Sequence, residues 1–275
     1  MPTLPYDDAT DRLAAIEALP VPPRPLTAET GDQERARVNG LCAILHQLPP
    51  ELLPRATRII ATFLAPQRSD VFAVVVEIAP AGQFGALLMA LEGVSSEAQP
   101  DMIATLAGRL TQDYLAPAAA IVRSPLDDLD GLDAFGRLRR HADVADALLA
   151  LARRARGDEV RLPLGREAAQ IIRATPLKAG HWQVRRLADV SLLLTNGERE
   201  QLQQLAVDQA LQAPTWDGEH LVVTPESRAD AVAIIAPRLR GLAKRRVQAM
   251  LASFPDAARH AIRAAMYHPT ARRTR

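Results

Sequence analysis

The chain has 275 residues, and its 33 basic and 32 acidic side chains leave a formal net charge of +1. That balance excludes a uniformly polybasic or polyacidic protein, although it leaves room for local patches. Hydrophobic residues make up 48%, enough for a substantial core in one large or two ordinary domains and too many for wholesale disorder.

The apolar content is dominated by 50 Ala and 37 Leu, with aromatics at only 4%. Ala and Leu are strong helix formers, so the composition predicts an all-α protein. Basic character rests on arginine, since Lys178 and Lys244 are the only lysines, a bias that also suits a GC-rich, bacterial coding sequence. The single cysteine, Cys42, has no partner for an intramolecular disulfide, which fits a reducing cytoplasm. The first eleven residues hold three acids and two prolines and no basic stretch before an apolar core, so no secretory signal is expected. The apolar runs at Val71–Ile78 and Ala116–Val122 fall well short of the roughly 20 residues of a membrane span, and no membrane association is expected.

In chain order, a first helix is predicted at about Thr10–Leu19, stopped by the proline run Pro20–Pro25, which reads as a tether. Val38, Leu41, Ile44, Leu45 and Leu48 then recur at helical spacing as far as Pro49, and a further segment runs from Glu51 to about Pro66. Asp70–Ile78 is ambiguous: Val71, Val74, Val75 and Val76 suit a buried strand, whereas Ser69 as an N-cap favours helix. Helices follow at about Gln83–Leu91, Ala98–Leu115 and Leu132–Ala155. Beyond the polar stretch Arg156–Asp158, where a domain boundary is placed, helices are predicted at Arg166–Ala174, Trp182–Leu194 and Glu198–Leu211. Thr195 and Glu198 form a capping box for the last of these. Asp217–Gly218 between apolar stretches is a hairpin signal. Thr224 and Pro225 then open a helix reaching about Ala236, followed by Arg238–Leu251 and Asp256–Tyr267.

The expected architecture is therefore all-α, a multi-helix bundle or irregular helical array with one short β-hairpin near residues 214–223. Its parts are an N-terminal helix and proline-rich tether (1–26), a helical domain (27–157) and a C-terminal helical domain (158–275) carrying the hairpin and basic helices.

No phosphate loop, dinucleotide fingerprint, nucleophile elbow or H-E-x-x-H pair occurs, so no catalytic residue, cofactor site or metal site is assigned. Cys42 and His46 lie four apart on one predicted helix face, but two ligands are too few for a metal site, and a buried structural cysteine is expected. The cluster Asp127, Asp128, Asp130 and Asp133 fails the calcium-loop register at Leu126 and Arg137 and reads as a solvated loop. His141, Asp143 and Asp146 read as surface.

The feature with physical weight is a split of charge. Residues Pro237–Arg275 hold ten basic residues and one acid, for +9, leaving −8 on the remainder. Arg238, Arg240, Lys244, Arg245, Arg246, Arg259 and Arg263 are the candidate binding residues for a polyanion or an acidic partner. The alternatives for this segment are docking onto the acidic remainder of the same chain or simple solvation. The order helix, helix, hairpin over Trp182–Val223 matches a winged helix, yet the helix that would enter DNA carries Glu198, Glu200 and Asp208 against Arg199 alone. The expected function is that of a cytoplasmic, non-enzymatic adaptor, assembly or regulatory protein that binds a protein partner or itself. The alternative is a nucleic-acid-binding regulator that uses the basic C-terminal helices.

Overall fold

Prolines and threonines set many of the helix starts in this computed structural model, which describes residues 3–22, 27–127, 129–175, 181–216 and 221–267. Helix α1 (Tyr6–Glu17) begins directly after Pro5. Helix α2 (Ala28–Leu45) opens at Thr27, whose hydroxyl accepts from the Thr30 amide at 3.3 Å. Pro54 and Pro66 occupy the first turns of α3 (Leu53–Ile60) and α4 (Ala65–Ile78), where a missing amide donor costs nothing. The chain continues through α5 (Phe84–Glu92), α6 (Gln99–Leu106), α7 (Gln112–Arg123), α8 (Ala134–Arg154), α9 (Asp158–Ala174), α10 (Trp182–Ser191) and α11 (Asn196–Ala210). It ends with α12 (Pro225–Ile235), α13 (Gly241–Met250) and α14 (Asp256–Tyr267). The fold is all-helical in class.

One ambiguity is resolved and three expectations are corrected. The valine-rich run at 71–76 is helical, because α4 buries Val71, Phe72, Val75 and Val76 at helical spacing. Ser69 is not its cap: the helix starts four residues earlier, and the Ser69 hydroxyl donates to Asp101 Oδ2 at 3.1 Å. The single helix expected over Ala98–Leu115 is two, since a 3₁₀ turn at Ala107–Arg109 leads into an extended Leu110. The Leu110 carbonyl accepts from Arg154 Nε at 2.8 Å. The β-hairpin expected near residues 214–223 is not established as an element. β1 (Thr215–Trp216) and β2 (Leu221–Val222) pair antiparallel over two residues each, too few for a sheet layer, and the Asp217–Gly218 turn lies outside the described residues. Residues 23–26 of the proline-rich tether also lie outside them.

The chain divides into two compact units: residues 1–131 with 146–156, and residues 132–145 with 157–275. In the first, α3 packs on α5, and α4 on α6, around the fully buried Leu53, Ile60, Phe63, Phe72, Leu87, Leu91, Met102, Ile103 and Leu106. Helix α1 is tied to α3 by Arg55, whose Nη2 donates to Glu17 Oε2 at 2.5 Å and whose Nη1 reaches the Thr10 carbonyl at 3.4 Å. The turn between α3 and α4 is held by buried charge. Glu34 accepts from the Leu64 amide at 2.8 Å, Arg37 donates to the Thr62 hydroxyl at 2.8 Å, and Arg68 donates to the Phe63 carbonyl at 3.2 Å. Arg37 and Arg68 find counterions in Glu34 and Asp101, which limits the cost of desolvating them.

In the second unit α11 is the hub. It packs on α10, α12 and α13 and buries Leu202, Gln203, Ala206, Val207 and Ala210 along one face. Helix α9 packs on α10, and α14 on α12. Thr224 caps α12: its hydroxyl accepts from the Ser227 amide at 3.1 Å, and its own amide donates to the Ser227 hydroxyl at 3.0 Å.

Candidate functional sites

The seven candidate basic residues lie in the second unit but are not equivalent. Arg238 is ion-paired to Asp189 on α10, an acid only 5% exposed. Arg246 pairs with Asp208 on α11 at 2.7 Å and donates to Gln204 at 3.1 Å. Arg259 is paired to Asp256 within α14. Two of these acids belong to the negatively charged remainder of the chain, so part of the basic segment is neutralised from within. Arg240 donates to the carbonyls of Pro237 and Leu239, at 3.1 and 2.8 Å, and so keeps its charge. Lys244 sits 4.7 Å from the Tyr267 ring centroid. Arg245 and Arg263 are exposed, with no acidic partner among the described residues.

A buried polar cluster fixes the connection into α13. Gln203, 1% exposed, donates from Nε2 to the Arg238 carbonyl at 3.0 Å and to the Ser191 hydroxyl at 3.1 Å, while its Oε1 accepts from the Arg240 amide at 2.8 Å. Gly241 follows at φ +50°, a left-handed conformation that favours glycine. Glu200 on α11 accepts from the Leu242 amide at 3.3 Å, satisfying a donor at the start of α13 that no local side chain reaches. The acids that set α11 against a DNA-reading role are thus engaged: Glu198 with Arg166 at 2.6 Å, Glu200 with α13 and Asp208 with Arg246. Arg166 and the Thr195 hydroxyl and amide together hold the Glu198 carboxyl down at about 2.

In the first unit, α5 and α7 enclose a groove of about 510 Å³. Its walls are Leu88 and Met89 from α5 and Tyr114, Pro117, Ala120 and Ile121 from α7. Met89 is 73% exposed, an unusual position for a large apolar side chain. Gly85 makes the wall: a Cβ there would lie 2.4 Å from the Tyr114 hydroxyl, so only glycine lets that ring rest against α5. The floor is set by Gln99, which is buried. Its Nε2 donates to the carbonyls of Leu91, Glu92 and Val94 at 3.2 to 3.4 Å, and its Oε1 accepts from Ser124 at 3.0 Å. One glutamine thereby ties the end of α5 to the end of α7 and holds the groove at a set width. Glu92 is the one carboxylate on the lining.

Of the other candidates, Cys42 is exposed rather than buried, because α2 turns Leu41, Ile44 and Leu45 to the core and position 42 away from it. Partial desolvation still raises its thiol pKa above the ordinary value. His46, at the C-terminus of α2, is exposed as well. Asp127 and Asp130 are exposed, Asp133 caps the Gly136 amide at 2.6 Å, and Asp128 lies outside the described residues. His141, Asp143 and Asp146 are half-buried along α8, with His141 Nδ1 2.7 Å from the Arg137 carbonyl. Among the described residues no group of three or more His, Cys, Asp or Glu side chains is placed to hold a metal ion. No helix there is long and apolar enough to cross a membrane.

The chain matches no protein-family model, no curated protein and no solved structure. The α5–α7 groove was not anticipated from sequence. Its only signal there was the polar Gln99 at the start of an apolar stretch, which periodicity treats as a surface residue.

Proposed function

We propose that this is a non-enzymatic interaction protein whose α5–α7 groove receives an amphipathic helix from a protein partner. The observation that carries the reading is the apolar lining of exposed Met89, Pro117 and Ala120 and half-buried Ile121, closed at one end by Glu92. Helix-in-groove recognition uses apolar anchors at i, i+3 or i+4 and i+7, and a flexible methionine adapts to their shape. Charge complementarity with Glu92 calls for a Lys or Arg at one end of that partner helix. A cytoplasmic adaptor, assembly or regulatory role is consistent with such a surface, and the groove stands whether the partner is another protein or a second copy.

A displayed library of helical peptides, panned against the full chain, tests this. The expected winners share apolar anchors at helical spacing with a terminal basic residue, and they lose affinity at least tenfold for Ala120→Arg, which places a long side chain on an exposed groove position without touching the core. Winners that bind Ala120→Arg equally well, or a selection that returns no helical pattern, would count against the groove.

A further inference from the structure

The second unit carries 21 basic against 14 acidic residues, formally +7, and the first carries 12 against 18, formally −6. After Arg238, Arg246 and Arg259 are cancelled by Asp189, Asp208 and Asp256, the charge left on α13 and α14 belongs to Lys244, Arg245 and Arg263, with Arg240 at the edge beside Glu200. Helical spacing then gathers these residues. Lys244 and Gln248 form one i,i+4 ridge of α13, and Arg263 and Tyr267 form one of α14. The ridges meet at Tyr267, where Lys244 lies over the ring and Gln248 Nε2 donates to the phenol oxygen at 2.6 Å. Tyr267 nevertheless stays 58% exposed. A ring braced by an amide and a cation, with most of its surface open, Arg263 one turn away on α14 and Arg245 next to Lys244 in the chain, has the two parts of a single-strand binding surface: charge for phosphates and a platform for a base.

We propose that the Lys244, Arg245, Gln248, Arg263 and Tyr267 surface binds single-stranded nucleic acid, with phosphates on the three cations and a base stacked on Tyr267. This surface is independent of the groove. The carboxylates of an acidic segment would satisfy the cations but are repelled by the negative face of the ring, whereas a nucleobase stacks on it, and that difference favours a nucleic acid. The sequence beyond it adds Arg272, Arg273 and Arg275, which lie outside the described residues.

The test is fluorescence anisotropy of the full chain with a labelled oligouridylate of about 20 nucleotides, a matching duplex and polyglutamate. Three phosphate contacts predict that affinity for the single strand falls roughly twentyfold between about 50 and 200 mM salt. Tyr267→Ala should weaken binding at least about fivefold and Tyr267→Phe should restore it, because stacking needs the ring and not the hydroxyl. Lys244→Glu with Arg245→Glu and Arg263→Glu should abolish binding with the thermal unfolding midpoint preserved, whereas Arg35→Glu in the other unit should leave it unchanged. No binding at about 50 mM salt, equal affinity for duplex or polyglutamate, or indifference to Tyr267→Ala each overturns the proposal.

Discussion

Asp189 has the largest predictable consequence of any single charge in the second unit. It is buried, faces Arg186 at 3.4 Å within α10 and is ion-paired to Arg238 beyond α12. Removing one partner of such a pair leaves the other desolvated and unmatched. Asp189→Ala should therefore lower unfolding free energy by about 3 kcal/mol, measured by urea denaturation, and Asp189→Asn by less because an acceptor remains. Glu198 sets a pH dependence of opposite visibility. Its folded pKa of about 2 lies below the ordinary value of 4.5, so the stability it contributes is complete above pH 4.5 and is lost as pH falls toward 2. Wild type and Glu198→Gln should thus differ in thermal midpoint near neutrality and converge at the acid end. A constant difference across that range would place the contribution elsewhere.

Local caps account for α2 and α12, and the one at Thr224 is legible from the sequence. The start of α13 is not, because its capping carboxylate comes from Glu200, 42 residues earlier in the chain. Glu200→Ala should cost about 1 kcal/mol, and hydrogen exchange should speed up in the first turn of α13 but not in α11. The α5–α7 pair depends in the same way on Gln99. Gln99→Leu matches its bulk but strands the Glu92 and Val94 carbonyls, so a loss of about 2 kcal/mol is expected together with loss of peptide binding at the groove. Helix α4 teaches the converse lesson about propensity. Its valines favour strand in isolation, and burial against α3 and α6 overrides them.

For the whole molecule the governing quantity is the separation of charge between two units in a chain whose total is +1. At low ionic strength the positive unit of one molecule attracts the negative unit of another across a Debye length of about 30 Å, which shrinks to about 8 Å near 0.15 M. Light scattering should then show attraction between molecules at about 10 mM salt that disappears at physiological salt. Net repulsion at low salt would show that counterions or internal pairing have already neutralised the units.

Helical class, the capping of α12, the start of α14 at Asp256 and the excess of base near the C-terminus were all legible in the amino-acid order, because each depends on neighbours within one or two turns. The sequence also showed which residues carry charge. It could not show that Asp189 and Asp208 cancel Arg238 and Arg246, or that Lys244 meets Tyr267. Nor could it show that Gln99 and Gln203 face inward as clamps. Those outcomes depend on distances between segments tens of residues apart, which only the packed helices determine.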